Sequence, residues 1–367
     1  MLKSMYANGT PAQKQIALAS IVGSARLRGQ RHSAVKLAAL QMVAPSRGKR
    51  RRVYTAENGS SLPGKLVLEE GGAASTDLAV NEAYDGAGAT YDLFWTAYQR
   101  DSLDGNGMRL DSTVHYRQSY DNAFWDGGQM VYGDGDGQLF NRFTVAVDVI
   151  GHELTHGVTQ FTANLSYSDQ PGALNESLSD VFGSLVKQRQ LGQSASGADW
   201  LIGEGLFTKK VKGTALRSLK APGTAYDDPV LGRDPQPAHM RDYVQTTDDD
   251  GGVHINSGIP NHAFFLAAAA MAGNAWERAG RIWYVAARDK FSSSTDFQAA
   301  ANLTYQTAAE LYGGDGQEQR AVQYGWAGVG ISVGEQKQQP DAPKPSGCSA
   351  ATPAVLRSLI VRLSQRS

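Results

Sequence analysis

Two histidines stand four residues apart, with a glutamate directly after the first, in the stretch DVIGHELTHGVTQ at residues 148–160. On a helix, His152 and His156 share one face and can reach one ion. Neutral imidazole suits zinc, which in catalytic sites takes three protein ligands and keeps a position for water. Glu153 is rotated by roughly 100° from His152. It is poorly placed as an equivalent ligand but can take a proton from a water on the ion. The order reads ligand, base, ligand. By composition such a pattern arises by chance in roughly one chain in a hundred of this length, so other residues must complete the chemistry.

GALNESLSD supplies a third ligand in Glu176, twenty residues after His156. A helix–turn–helix hairpin of that length can return it beside the first pair. Ligating histidines need an acceptor for their other ring nitrogen, and Asp180, one turn beyond Glu176, can serve, with Asn175 beside it. DDGGVHINSGIPNH, residues 249–262, carries a second histidine centre. Its Gly-Gly turn places His254 at the end of a loop, with Asp249 five residues earlier. An aspartate on one imidazole nitrogen fixes the tautomer and favours a charged ring that can donate to an oxyanion. His32, His115, His239 and His262 are read as non-catalytic.

These residues need rigid carriers. The pattern of TVAVDVIGHELTHGVTQFTA is apolar on more than one face, which predicts a buried central helix. NESLSDVFGSLVKQRQLG predicts a second helix ending before Gly192, and PNHAFFLAAAAMAG and AGRIWYVAARDKF predict further ones. Ahead of them, RVYTAENGSSLPGKLVLEEG reads as strand, turn and strand, and STVHYRQSYDNAFWDGGQMVYGDGDG as further antiparallel strands between Gly/Asp turns. The expected class is α+β, with a β-rich lobe followed by a helical one.

The 367 residues suffice for two lobes. No run is apolar enough to span a membrane. A lone cysteine, Cys348, excludes a disulfide framework and a cysteine zinc site. Residues 1–52 carry eleven basic and no acidic side chains, against 24 basic and 36 acidic in the remainder, a net of −12 there. Such a leader is expected to dock on the body electrostatically. It also has the composition of a transit peptide or of a nucleic-acid or membrane arm, while a secretory signal core is not visible in it. Residues 11–43 read as helical, APSRGKRRR as an exposed linker, and the tail after Gly334 as low-complexity with a short amphipathic helix. The division expected is 1–52 prosegment and linker, 53–160 β-rich lobe, 161–333 helical lobe, and 334–367 tail.

With DNAFW, GDGDG, DVIGHELTHGVT, GALNESLSDVFGSL, ALRS and GGVHINSGIPNHAF in this order, the chain from about Val53 to Val333 resembles the thermolysin family of zinc endopeptidases, and within it the protealysin-like branch. The resemblance implies one catalytic zinc on His152, His156 and Glu176, with Glu153 activating water. It implies oxyanion contacts from Tyr167 and His254, with Asp249 orienting His254 and Asp180 supporting His152. Arg217 would bind a substrate carbonyl, and Asn122 and the backbone of Ala123 would pair with an extended peptide as an added strand. Phe140, Phe143, Val149, Ile202 and Leu216 would line an apolar pocket for a bulky residue after the scissile bond. Also implied are a two-lobed fold with the zinc helix across the cleft floor, protein or peptide substrates, and the prosegment as an intramolecular partner. We expect a monomer without nucleic-acid partner, exported by a non-conventional route or else cytoplasmic.

Some features depart from the family pattern. DDGGVH replaces DNGGVH, so Asp250 adds a negative charge near His254. The extreme start of the family's prosegment is missing, so occlusion of the cleft by the leader is not implied. Processing is expected in an exposed junction at 40–53, before Met42, Val43 or Val53, with host cleavage within Lys49–Arg52 as the rival. At the family's paired calcium locus Asp148, Asp199 and Glu204 remain, but Lys187 stands for a bridging glutamate and Leu201 for another ligand. Calcium wants six to eight oxygens, so at most one ion, or none, is expected there. A catalytically dead binding protein is disfavoured because every chemical residue is present. A zinc aminopeptidase would need an acidic patch for a free amine and its own strand motif, whose place DNAFW occupies.

Overall fold

The computed structural model describes residues 1–22 and 48–334. The expectations for residues 23–47 and for the tail after Gly334 lie outside these. The leader contributes α1 (Leu2–Asn8) and α2 (residues 11–22), and both Met5 and Ala17 are fully buried.

A five-stranded sheet follows, in the order β2-β1-β3-β5-β4, from β1 (Arg51–Thr55), β2 (Lys65–Glu69), β3 (Leu110–Val114), β4 (Ala123–Trp125) and β5 (Met130–Tyr132). The sheet is mixed, which corrects the antiparallel expectation: β3 runs parallel to both β1 and β5. After the β1–β2 hairpin, α3 (Leu78–Tyr98) carries the chain past β1, so that β3 enters on the far side of β1 and runs along it, and β4 then takes the edge while β5 returns between β4 and β3. Sequence reading passed over this helix. Its Asp77 N-cap accepts from the amide of Ala79, but its glycines blur the helical pattern. Those glycines are there for contact. A Cβ on Gly86 would fall 2.4 Å from Ile150 Cδ1, and one on Gly88 2.4 Å from an Arg51 guanidinium nitrogen.

The boundary expected at residue 52 falls inside β1, and the junction is not exposed at its end. Arg51 is 9% and Val53 1% exposed. Arg51 forms a forked pair with Glu70, Arg50 bonds the Gly107 carbonyl, and Lys49 pairs with Asp92. These groups sew the segment to the body, because a charged side chain is buried only with partners.

The helical lobe begins with α4 (Val147–Gln160) and α5 (Asp169–Leu191), which ends as expected at a left-handed Gly192. Every residue of α5 from Gly172 to Gln188 is buried, so this helix is at least as central as α4. Short β6 (Leu201–Ile202) and β7 (Arg217–Ser218) pair with each other, as do β8 (Asp227–Asp228) and β9 (Gly232–Arg233). Then come α6 (Asp249–Asn256), α7 (Gly258–Met271), α8 (Ala279–Asp289), α9 (Phe297–Tyr312) and α10 (Gln317–Gly328). In α6 the left-handed residues Asp250, Gly251 and Gly252 kink the chain, so His254 sits in a helical turn after the Gly-Gly bend rather than in a loop. Among the described residues no helix is long and apolar enough to cross a membrane.

Candidate active site

Two glycines set the spacing of the central helices. Gly151 on α4 and Gly183 on α5 let the backbones meet, since a Cβ on Gly183 would lie 2.4 Å from the Asp148 carbonyl oxygen. This approach brings Glu176 beside the two imidazoles. His152 Nε2 is 3.3 Å from Glu176 Oε2, His156 Nε2 is 3.5 Å from Oε1, and the two Nε2 atoms are 3.2 Å apart. All three residues are buried.

Each ring is fixed from behind. His152 Nδ1 lies 2.8 Å from Asp180 Oδ1, and His156 Nδ1 lies 2.8 Å from Asn175 Oδ1 and 3.1 Å from Ser179 Oγ. With the Nδ1 atoms so engaged, both Nε2 atoms turn toward one point with a carboxylate. Burial opposes charge on His152, but Asp180 and Glu176 outweigh it and push its imidazole up to about 10. The pocket therefore draws in positive charge. Its two imidazoles and one carboxylate are a donor set that fits zinc in a catalytic site.

Asp180 does more than support His152. Arg217 reaches it with two guanidinium nitrogens at 2.7 and 2.8 Å, and Asn261 donates to it at 2.8 Å. Burial would raise the Asp180 carboxyl, yet Arg217 and His152 hold it far below its usual range. Asn261 and Ser179 escaped sequence reading; the signal for Ser179 was its place one turn after Glu176 on the same helix face.

On the far side, Tyr167 OH hydrogen-bonds Glu176 and lies 3.2 Å from His254 Nε2. Asp249 holds His254 twice, at 2.7 Å on Nδ1 and 2.8 Å on the backbone amide. Burial works against a charge on His254, but Glu176 and Asp249 hold its imidazole above the ordinary value. Gln236, also unforeseen, donates to the His254 carbonyl at 2.9 Å.

His152, Arg217, Gln236, Asp249 and His254 open on a cleft of about 550 Å³. Glu153 lines it and accepts the Trp125 amide at 3.1 Å. Asn122, Ala123, Phe140, Phe143, Val149, Leu216 and Arg217 line it too, and β4 is the outer strand of the sheet there. Ile202 does not line it, which corrects the expected pocket. It pairs through β6 with Arg217, and its side chain is wholly buried. Met1, Leu2 and Lys3 do line it, so the leader reaches the cleft after all.

Lys187 occupies the expected calcium locus. Its ammonium lies 2.9 Å from carboxylate oxygens of both Asp148 and Asp199 and 2.8 Å from the Leu201 carbonyl oxygen. Glu204 stands exposed nearby, and burial together with Asp199 raises its carboxyl.

The comparisons agree with this geometry. Residues 29–160 match the thermolysin metallopeptidase catalytic domain and residues 163–331 the thermolysin metallopeptidase alpha-helical domain. An extracellular metalloprotease of Pectobacterium carotovorum subsp. carotovorum is 50% identical over 337 residues, covering 92% of this chain and 96% of that one. A thermolysin of Alicyclobacillus acidocaldarius subsp. acidocaldarius is 39% identical over 295 residues, 78% of this chain and 52% of that one. The structure of the precursor of protealysin, a metalloproteinase from Serratia proteamaculans, superposes with a TM-score of 0.82 at 51% identity, covering 90% of this chain and 97% of that one.

Proposed function

This chain belongs to the thermolysin family of zinc metallopeptidases, and from that premise we propose how its own residues cut peptides. His152, His156 and Glu176 would hold zinc, which when bound would supply a Lewis acid able to polarise a water near neutral pH. Glu153 takes the proton of the attacking water and delivers it to the leaving amine. Tyr167 and the charged ring of His254 donate to the oxygen that gathers negative charge, and Asp249 keeps that ring aimed. A substrate lies along β4 as an added strand on Asn122 and Ala123. Arg217, braced by Asp180, meets a substrate carbonyl, and Phe140, Phe143, Val149 and Leu216 take a bulky apolar side chain after the scissile bond. The observation that carries this reading is that Glu153, His152 of the buried ligand set, His254 and the outer strand's Ala123 line one cleft.

The leader acts as an intramolecular plug, with Met1, Leu2 and Lys3 in the cleft and Met5 and Ala17 buried against the body. The enzyme works as a monomer on protein or peptide substrates, and a relative named extracellular supports action outside the cell. Casein hydrolysis by the purified protein should stop with a chelator and return with zinc. Glu153→Gln should keep the metal and lose at least about a hundredfold in turnover, the scale of a positioned base. Wild-type turnover in that variant would refute the role of Glu153.

A further inference from the structure

Besides Glu153 and Asp249, the cleft is lined by Asp121, Asp234, Asp248 and Asp250, of which Asp234 is occupied by the backbone amides of Gly223, Ala225 and Gln236. Asp248 stands at the rim, one residue before Asp249, with its side chain 72% exposed. It does not cap α6 with its side chain. Its carboxylate instead meets Lys3 Nζ at 2.8 Å, and Lys3 belongs to the peptide segment that lies in the cleft. Asp121, directly ahead of Asn122, lines the same cleft at 3% exposure, and neither of its carboxyl oxygens has a partner in ordinary hydrogen-bond geometry. Burial and Asp136 push its carboxyl up to about 8. It keeps a proton at neutral pH until a cation or a strong donor meets it. In the sequence, the residues after 52 carry a net charge of −12, against eleven basic and no acidic residues in 1–52.

We propose that the cleft selects peptides bearing lysine or arginine near the scissile bond, with Asp248 at the rim and Asp121 in the wall as the two accepting positions. Lys3 fills the rim position in the precursor, so the leader imitates a preferred substrate. The proposal rests on the peptidase reading. The apolar pocket sets the residue after the scissile bond, and the two aspartates act on its neighbours. An ion pair as exposed as Asp248 with Lys3 is worth little and is screened by salt. The wall position, being buried, discriminates more strongly because a cation there meets a carboxyl served only by the backbone of Asp136.

The test uses mature, zinc-loaded enzyme and peptide sets that share one bulky residue after the scissile bond and carry Lys, Gln or Glu at each flanking position in turn. We expect kcat/KM to favour Lys over Glu by about threefold at one position at least. That ratio should shrink in about 0.5 M salt and in Asp248→Asn. Asp121→Asn should reduce the preference at a different position. Asp248→Asn changes only an exposed side chain, so the test stands even if Asp121→Asn fails to fold. Gln peptides cut normally, with Lys-to-Glu ratios near one throughout or unaltered in the Asp248 variant, would overturn the proposal. No cleavage of any peptide would sink the peptidase reading and this inference with it.

Discussion

Gly183 on α5 lies against the backbone of His152 on α4: a Cβ at Gly183 would sit 3.0 Å from the His152 amide nitrogen and 2.4 Å from the Asp148 carbonyl oxygen. Neither atom is the end of a flexible side chain, so the helices themselves would have to part. Their separation decides whether Glu176 on α5 reaches the imidazoles on α4. Gly183→Ala should therefore cost about 1–3 kcal/mol of stability, the range for overpacking. It should also weaken zinc retention, although it touches only the backbone of His152 and no ligating atom. Elemental analysis after dialysis, paired with a melting curve, measures both. Full zinc occupancy at an unchanged melting temperature would show that the crossing has slack.

The start of the mature enzyme should lie upstream of Lys49. Val53 was attractive by side chain, but cleavage before it would cut β1 and discard the Arg51–Glu70 fork. Lys49, Arg50 and Arg51 are each engaged by the body, so tryptic cleavage among them is disfavoured as well. Met42 and Val43 remain acceptable. N-terminal sequencing of wild type should give one of these, and Glu153→Gln should stay unprocessed. Identical processing of both proteins would mean that a host protease does the cutting.

How much of this was legible depended on how local each relation is. His152, Glu153 and His156 could be placed from spacing alone, because helix periodicity puts them on one face whatever surrounds them. Glu176 and Asp180 needed only a hairpin. Tyr167 next to His254 is a contact across 87 residues, and only family resemblance supplied it. Ile202 looked like a pocket residue because it is apolar, but strand pairing with Arg217 turns it inward. The approach of Met1–Lys3 to the cleft depends on how the leader docks, which no pattern within the leader encodes. The parallel pairings of β3 depend on the order of strands across the sheet, β2-β1-β3-β5-β4, which no local pattern encodes, and the glycines of α3 hid the helix that leads into β3.

His115 should make stability depend on alkaline pH. Its ring is clasped by Asp134 at 2.8 Å on Nδ1 and Asp77 at 2.7 Å on Nε2, and Asp77 also caps α3. The hydrogen bond that the ring donates to Asp134, helped by Asp77 and opposed by burial, pushes the imidazole up to about 9 from 6.5. A folded-state pKa above the unfolded one gives stability that is complete below the unfolded value and lost as pH rises through the folded one. The melting temperature of wild type should therefore fall between about pH 6.5 and 9.5 more steeply than that of His115→Gln. Parallel curves across that window would remove His115 from the account.

Lys187 should stand in for a calcium ion. Asp148 is 1% exposed, and burial raises its carboxyl while Lys187 pulls it back down. Asp199 shares the same ammonium, and the Leu201 carbonyl accepts its third hydrogen bond. A hard cation at this point would have to displace that ammonium and find six to eight oxygens, where the structure offers Asp148, Asp199, the Leu201 carbonyl and the outlying Glu204. Wild type in the Glu153→Gln background, which avoids self-digestion, should thus bind at most one calcium at this locus. Millimolar calcium should leave its melting temperature nearly unmoved. Lys187→Met removes one partner of a buried pair and should cost about 3–5 kcal/mol. Lys187→Glu returns an oxygen donor, and calcium should restore part of the stability it loses. Two calcium ions bound here in wild type, with a large melting shift on chelation at constant zinc, would overturn the assignment.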